Sequence, residues 1–227
     1  QRVAIARALL TRPKLLCMDE PLSALDWRAK AELLALIEMV IEQYQLPVLY
    51  ITHAPAEVER LADRVVFMKG GQIERMETLQ QALARPDSPL FDEQGAVSVL
   101  LGSPQAIENG LQRIQLGEQV EQNTPQSLWV GAQPEIKKLQ VRVRILARDV
   151  SIGLSDPENL SIVNHLNVEV SELIQQDEHR VLVRLLLTDG QHIFAEITQN
   201  SAKRLNLKPG LRVFALIKSV AMTESSH

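Results

Sequence analysis

Cysteine is nearly missing from this chain. Cys17 is the single one in 227 residues, so no internal disulfide can form, which fits a reducing compartment such as the cytoplasm. No apolar run approaches the roughly 20 residues needed to span a bilayer, and no signal peptide opens the sequence, so any membrane association is expected through a partner. Positive charge is not in excess either. Lys and Arg number 24 against 28 Asp and Glu, the net charge is −4, and the basic residues are thinly spread, leaving no electrostatic footprint for DNA or RNA. The pattern Gly-x-x-x-x-Gly-Lys-Ser/Thr is absent, and with it the nest of backbone N–H groups and the lysine that cradle phosphates. Gln1 stands where a Met would start a chain, with a helical pattern already running, so the sequence reads as cut from a longer one.

A hydrophobic content of 45% is enough to build one large domain or two modest ones. A helical pattern over 2–10 is followed by an apolar run at 15–18 that reads as a buried parallel strand. After Asp26 a long helix is expected, with Leu33, Ile37, Val40 and Tyr44 on its apolar stripe, ending near Pro47. Strands at 48–52 and 64–68 flank a short helix at 55–62, and Gly70-Gly71 turns the chain into 72–76. Strands alternating with helices indicate an α/β layer with a parallel sheet. Trp27 and Cys17 read as packing residues. Pro86 and Pro89 mark a linker at 85–89, which divides the chain into residues 1–88 and 89–227.

Beyond the linker the helical period gives way to short strand candidates at 97–101, 111–116, 128–130, 141–145, 150–154, 166–174, 181–187, 193–197 and 213–217. The run 141–145 alternates strictly, so one of its faces is expected to be buried. Asp189-Gly190 suits a two-residue hairpin turn, Pro209-Gly210 suits the corners of a type II turn, and 201–205 reads as one helical turn. Strands this short and closely spaced suggest a small barrel, whose closure removes exposed edges.

The chemistry concentrates where the first strand ends in Asp19-Glu20, two carboxylates at the carboxyl end of a buried strand, where open α/β sheets place ligand sites. A carboxylate there can hold Mg²⁺ through its water shell, and a second beside it can polarise an attacking water. Pro21-Leu22-Ser23-Ala24-Leu25-Asp26 follows, and Ile51-Thr52-His53 ends the next strand. With Gln1-Arg2-Val3-Ala4-Ile5-Ala6-Arg7-Ala8-Leu9 upstream, these segments resemble the ABC-transporter ATPase family in order and spacing over about the first 85 residues. The resemblance implies that Asp19 positions Mg²⁺, that Glu20 is the general base for water and that His53 contacts the γ-phosphate of ATP. It implies further that Asp26 and Ser23 sit in a loop crossing between two nucleotide-binding domains. The family's Leu-Ser-Gly-Gly signature is absent here along with the phosphate loop, so this stretch by itself is expected neither to bind ATP well nor to hydrolyse it.

The later strands resemble the regulatory barrel of oligonucleotide/oligosaccharide-binding (OB) type behind many import ATPases. From Leu160 on, and within a module spanning 158–224, the resemblance is to the molybdate-binding module of molybdenum transport and storage proteins. Ser161-Ile162-Val163-Asn164 matches its opening Ser-x-Arg-Asn, and Ile217-Lys218-Ser219-Val220 its closing Lys-Ser/Ala-Val, with Val163 in place of the usual arginine. Ser161, Asn164, Lys218 and Ser219 would therefore face a molybdate or tungstate ion. The fold expected is a partial ABC-type α/β domain followed by an all-β OB-like barrel. The resemblance implies an ATPase subunit of a molybdate importer, peripheral on the inner membrane face, partnered by a transmembrane permease and a second copy of itself. Importers of sugars, polyamines or sulfate stand as alternatives, as does a pure oxyanion-binding module. A molybdate-responsive repressor would need a helix-turn-helix, and no basic helix pair is present.

Overall fold

The computed structural model describes residues 2–91, 95–117, 125–132, 139–218 and 221–222. The chain forms two compact units, one running to Leu79 and one starting at Gln80.

The first unit holds α1 (Arg2–Leu10), β1 (Leu16–Asp19), α2 (Trp27–Tyr44), β2 (Val48–Ile51), α3 (Pro55–Leu61), β3 (Arg64–Lys69) and β4 (Gln72–Thr78). β1 and β2 pair in parallel, from Leu16 opposite Val48 to Asp19 opposite Ile51. Asp26 starts α2 by accepting the backbone N–H groups of Arg28 and Ala29 at 2.9 and 3.0 Å, which satisfies two donors that a helix start leaves unpaired. Gln45 ends the helix in the left-handed conformation, two residues before Pro47. Leu33 and Ile37 of α2 pack with Ile5, Leu16, Met18 and Leu22 into one core. Glu38 of α2 and Arg60 of α3 form a two-pronged ion pair, at 2.7 and 3.0 Å, that is largely shielded from water.

Four expectations for this unit are corrected. Tyr44 is exposed, so the apolar stripe of α2 ends before it, with Val40 buried and Ile41 partly buried against the core. β1 is covered on one face only: Leu16 and Met18 point into the core, whereas Cys17 and Asp19 are exposed, because strand side chains alternate and the core lies on one side. Trp27 is 74% exposed with the Arg28 guanidinium over its ring, so neither it nor Cys17 is a packing residue in this unit. The α/β layer is also narrower than expected. β3 does not join the parallel pair but folds back on β4 as an antiparallel hairpin through Gly70-Gly71, whose φ of 57° and 78° fit a tight turn that needs both central residues left-handed.

A short helix that the sequence reading missed, α4 (Leu79–Ala84), leads into the second unit, where Gln80 donates to the Val99 carbonyl at 3.0 Å. The stretch at 85–89 turns through backbone bonds, with Ser88 and Leu90 buried. Ten strands follow: β5 (Val97–Glu108), β6 (Leu111–Leu116), β7 (Gln126–Gly131), β8 (Val141–Leu146), β9 (Val150–Gly153), β10 (Asn164–Gln175), β11 (Arg180–Leu186), β12 (His192–Thr198), β13 (Arg212–Ile217) and β14 (Ala221–Met222). Helix α5 (Gln199–Arg204) links β12 to β13, capped by the Thr198 hydroxyl. The strands form two five-stranded sheets of OB-like half-barrel type, in the orders β14-β8-β5-β6-β7 and β12-β11-β10-β13-β9. Both sheets feed one core, in which Leu100, Ile114 and Val143 of the first meet Leu166, Val183 and Ala215 of the second. The alternation at 141–145 holds, with Val141, Val143 and Ile145 inside.

Side-chain amides join the two sheets. Asn164 of β10 accepts from the Trp129 N–H at 2.6 Å and donates to the Trp129 carbonyl at 2.9 Å. Gln126 of β7 does the same with Asn167, at 2.7 and 2.9 Å, and Gln191 does so with Leu101 of β5, also at 2.7 and 2.9 Å. A primary amide carries one acceptor and two donors on a planar fork, so it can pair both backbone groups of one residue as a neighbouring strand would.

Two turns separate the sequence expectations. Pro209-Gly210 forms its turn as expected, with Leu211 donating to the Lys208 carbonyl and Gly210 at φ 85°. The turn at Asp189-Gly190 is one residue longer than expected. Leu187 and Gln191 close it, and only Gly190 has positive φ, so the loop takes three residues with glycine at the left-handed position.

His192 on β12 packs against Phe194, and burial, reinforced by the nearby Arg184 guanidinium, holds its imidazole below the ordinary value. A depressed histidine folds in its neutral form, so its contribution is present above the unfolded pKa, about 6.5, and is lost as pH falls through the folded one. The melting temperature is therefore expected to drop between pH 7 and 5, with part of that drop removed in His192→Gln. An identical pH profile in the variant would rule this out.

Candidate functional site

The loop after β1 brings the sequence-singled residues together. Glu20 extends the β1–β2 ladder past its last pair, its N–H donating to the Ile51 carbonyl at 2.9 Å. Its φ is 45°, a left-handed conformation that costs a residue with a Cβ about 1–2 kcal/mol. The conformation is held from the other side by Ser23, whose N–H and Oγ both donate to the Glu20 carbonyl, at 3.3 and 3.0 Å. So placed, the Glu20 side chain reaches His53: Oε1 lies 2.6 Å from Nδ1. A carboxylate only accepts, so Nδ1–H donates, and in the neutral ring Nε2 becomes the acceptor. Asp19, one residue before, is exposed at the strand end, and Asp26 spends one oxygen on the cap of α2.

Sequence reasoning missed the groups behind His53. Tyr50 and Thr52, two residues apart along β2 and its continuation, both donate to Oε2 of Glu57 at 2.8 Å. The Thr52 oxygen in turn accepts the Ala54 N–H at 3.1 Å. Glu57 lies in the first turn of α3 and is only 6% exposed. Burial, followed by the hydrogen bond and charge of Glu57, pushes the Tyr50 phenol well above its usual range, so its hydroxyl remains a donor. The sequence signal available was the two-residue spacing of Tyr50 and Thr52; the burial of Glu57 had none.

The second cluster lies where β10 begins and β13 ends. Asn164 pairs with Ile217 in the β10–β13 register, which sets the start of β10 beside Lys218. Ser161, Val163 and Lys218 are exposed, the Lys218 N–H donates to the Asp149 carbonyl at 3.1 Å, and Ser219 lies outside the described residues. Asn164 is 4% exposed, with its amide committed to Trp129. The segment carrying Ser161 is clasped by His165, whose Nδ1 lies 2.7 Å from Asp156 and whose Nε2 lies 2.9 Å from the Ile162 carbonyl.

Among known proteins, residues 160–223 match the TOBE domain. The chain is 40% identical over 223 residues to the molybdenum import ATP-binding protein ModC of Pseudomonas aeruginosa, covering 98% of this chain and 61% of that one. It is 41% identical over 225 residues to ModC 2 of Azotobacter vinelandii, covering 99% and 61%. A solved structure of the cytoplasmic molybdate-binding protein ModG with molybdate bound aligns at 21% identity and a TM-score of 0.44, covering 55% of this chain and 93% of that one. The chain spans about three-fifths of the length of the curated relatives it matches. The C-terminal end of the chain thus matches the TOBE domain, and nearly its whole length is similar, at about 40% identity, to the molybdenum import ATP-binding proteins.

Proposed function

We propose that the protein is the ATPase subunit of an ABC importer for molybdate, coupling ATP hydrolysis to oxyanion uptake through a membrane permease. The observation that carries the reading is the pairing of Glu20 with His53 at the carboxyl ends of two parallel strands, beside the exposed carboxylate of Asp19. In this role Glu20 accepts a proton from the attacking water and His53 holds that carboxylate through Nδ1–H; contact with the terminal phosphate uses the imidazolium form, in which Nε2–H donates as well. Among the described residues no three His, Cys, Asp or Glu side chains gather as a metal cage. A single exposed carboxylate still suits Mg²⁺, which commonly takes one or two carboxylates plus water and substrate phosphates. Asp19 would hold it, and the ion supplies neutralisation of phosphate charge when bound. The subunit acts at the cytoplasmic face of the membrane as a pair of copies. No helix among the described residues is long and apolar enough to cross a bilayer.

At the second cluster, Ser161, Lys218 and Ser219 would supply donors to a tetrahedral dianion, with Asn164 bracing the strand. The Val163 side chain offers no donor. Charge-assisted hydrogen bonds contribute about 1.5–3 kcal/mol each, so the missing guanidinium is expected to weaken binding by roughly tenfold to a few hundredfold. Calorimetry on this chain should therefore find weak molybdate or tungstate binding, reduced by Lys218→Ala and strengthened by Val163→Arg. No heat from either oxyanion, even with Val163→Arg, would make the TOBE domain a regulatory barrel without a ligand and would remove support for molybdate over sulfate, sugar or polyamine as the cargo.

A further inference from the structure

His53 is 82% exposed at its side chain, so the placing of its ring beside Glu20 falls to that one contact and to the backbone it stands on. That backbone is anchored one residue earlier. Thr52 is tied on both sides, its hydroxyl donating to Glu57 and accepting the Ala54 N–H, so the peptides before and after His53 are fixed relative to a buried carboxylate. Tyr50 adds a second tie on the same face of β2, to the same oxygen of Glu57. Burying a carboxylate is costly unless it is well hydrogen-bonded, and these two hydroxyls are the donors the structure gives it. A residue that only packed α3 against the strand would not need a charge. We infer that Glu57 is a positioning residue for hydrolysis: its buried carboxylate fixes the end of β2 so that His53 is aimed at Glu20.

This inference rests on the proposed ATPase reading, and it concerns the rate of the chemical step rather than nucleotide affinity. Misplacing a catalytic contact by about 1 Å costs on the order of a hundredfold in rate, so loosening one of several ties is expected to cost about tenfold. The test is a mutant cycle in the full-length ATPase, read by single-turnover hydrolysis and by ATP binding. Glu57→Gln, which keeps the shape but loses the charge, and Thr52→Val, which keeps the shape but loses the hydroxyl, should each slow hydrolysis about tenfold with ATP affinity unchanged. In a His53→Ala background, neither should slow it further, because residues that act through one group are not additive. Rescue by Glu57→Asp to a rate between those of wild type and Glu57→Gln is expected as well. Wild-type rates in both variants, or losses that simply add to that of His53→Ala, would overturn the positioning role while leaving the ATPase reading intact. If His53→Ala and Glu20→Gln themselves hydrolyse ATP at the wild-type rate, the ATPase reading is what fails. Thr52→Val keeps the cycle informative if Glu57→Gln does not fold.

Discussion

In the proposed full-length ATPase, Glu20→Gln is expected to abolish steady-state ATP hydrolysis while leaving nucleotide binding in place. A positioned general base contributes about 10²–10⁴ in rate, and an amide cannot take the proton of the attacking water. The substitution is geometrically mild. Glutamine keeps a carbonyl oxygen that can accept from His53 Nδ1–H across the present 2.6 Å contact, and the backbone bonds to Ile51 and Ser23 do not involve the side chain. A loss of rate therefore reports on proton transfer and not on a rearranged loop. Turnover near the wild-type rate would assign the base to another residue. Lost turnover combined with lost binding would assign Glu20 to nucleotide contact instead.

The second large effect is on stability. Asn164→Ala should lower the melting temperature of the chain by roughly 5–15 °C. The Trp129 N–H and carbonyl would lose the side-chain partner they share, and each polar group left unsatisfied in a shielded site costs about 1–3 kcal/mol, with each kcal/mol shifting the midpoint by about 2–4 °C at this size. Asn164→Asp is the sharper version. An ionised carboxylate can still accept from the N–H at 2.6 Å, but it sets two acceptors against each other at the carbonyl. A melting temperature unchanged in both variants would mean that Asn164 is free to serve the oxyanion rather than the sheet-to-sheet joint.

How much of this was legible beforehand varies by element. The helix after Asp26, the double-glycine hairpin and the Pro209-Gly210 turn follow from short-range rules, because a cap, two left-handed glycines or a proline-glycine corner act within four residues. The alternation at 141–145 was equally plain, since a strand with one buried face must repeat every second residue. The hairpin at Asp189-Gly190 was misjudged because Asp-Gly is compatible with loops of two or three residues, and the closing pair of Leu187 and Gln191 is set by strand register. Cys17 and Trp27 were misassigned because hydrophobicity does not say which face of an element is covered.

Asp19, Glu20 and His53 could be picked out by residue type and their place at strand ends, and the TOBE resemblance could be read from Ser161, Asn164 and Lys218. What the sequence by itself determined, then, was the kinds of element, the chemical types at the strand ends and a likeness to molybdenum import proteins. Only the tertiary structure decided that Glu20 and His53, 33 positions apart, stand 2.6 Å from each other, that Glu57 is buried behind them, and that Asn164, Gln126 and Gln191 join two sheets. The physical reason is that these contacts are made between side chains or backbone groups distant along the chain. Their formation depends on how the elements within each unit pack, and a local pattern carries no information about the partner.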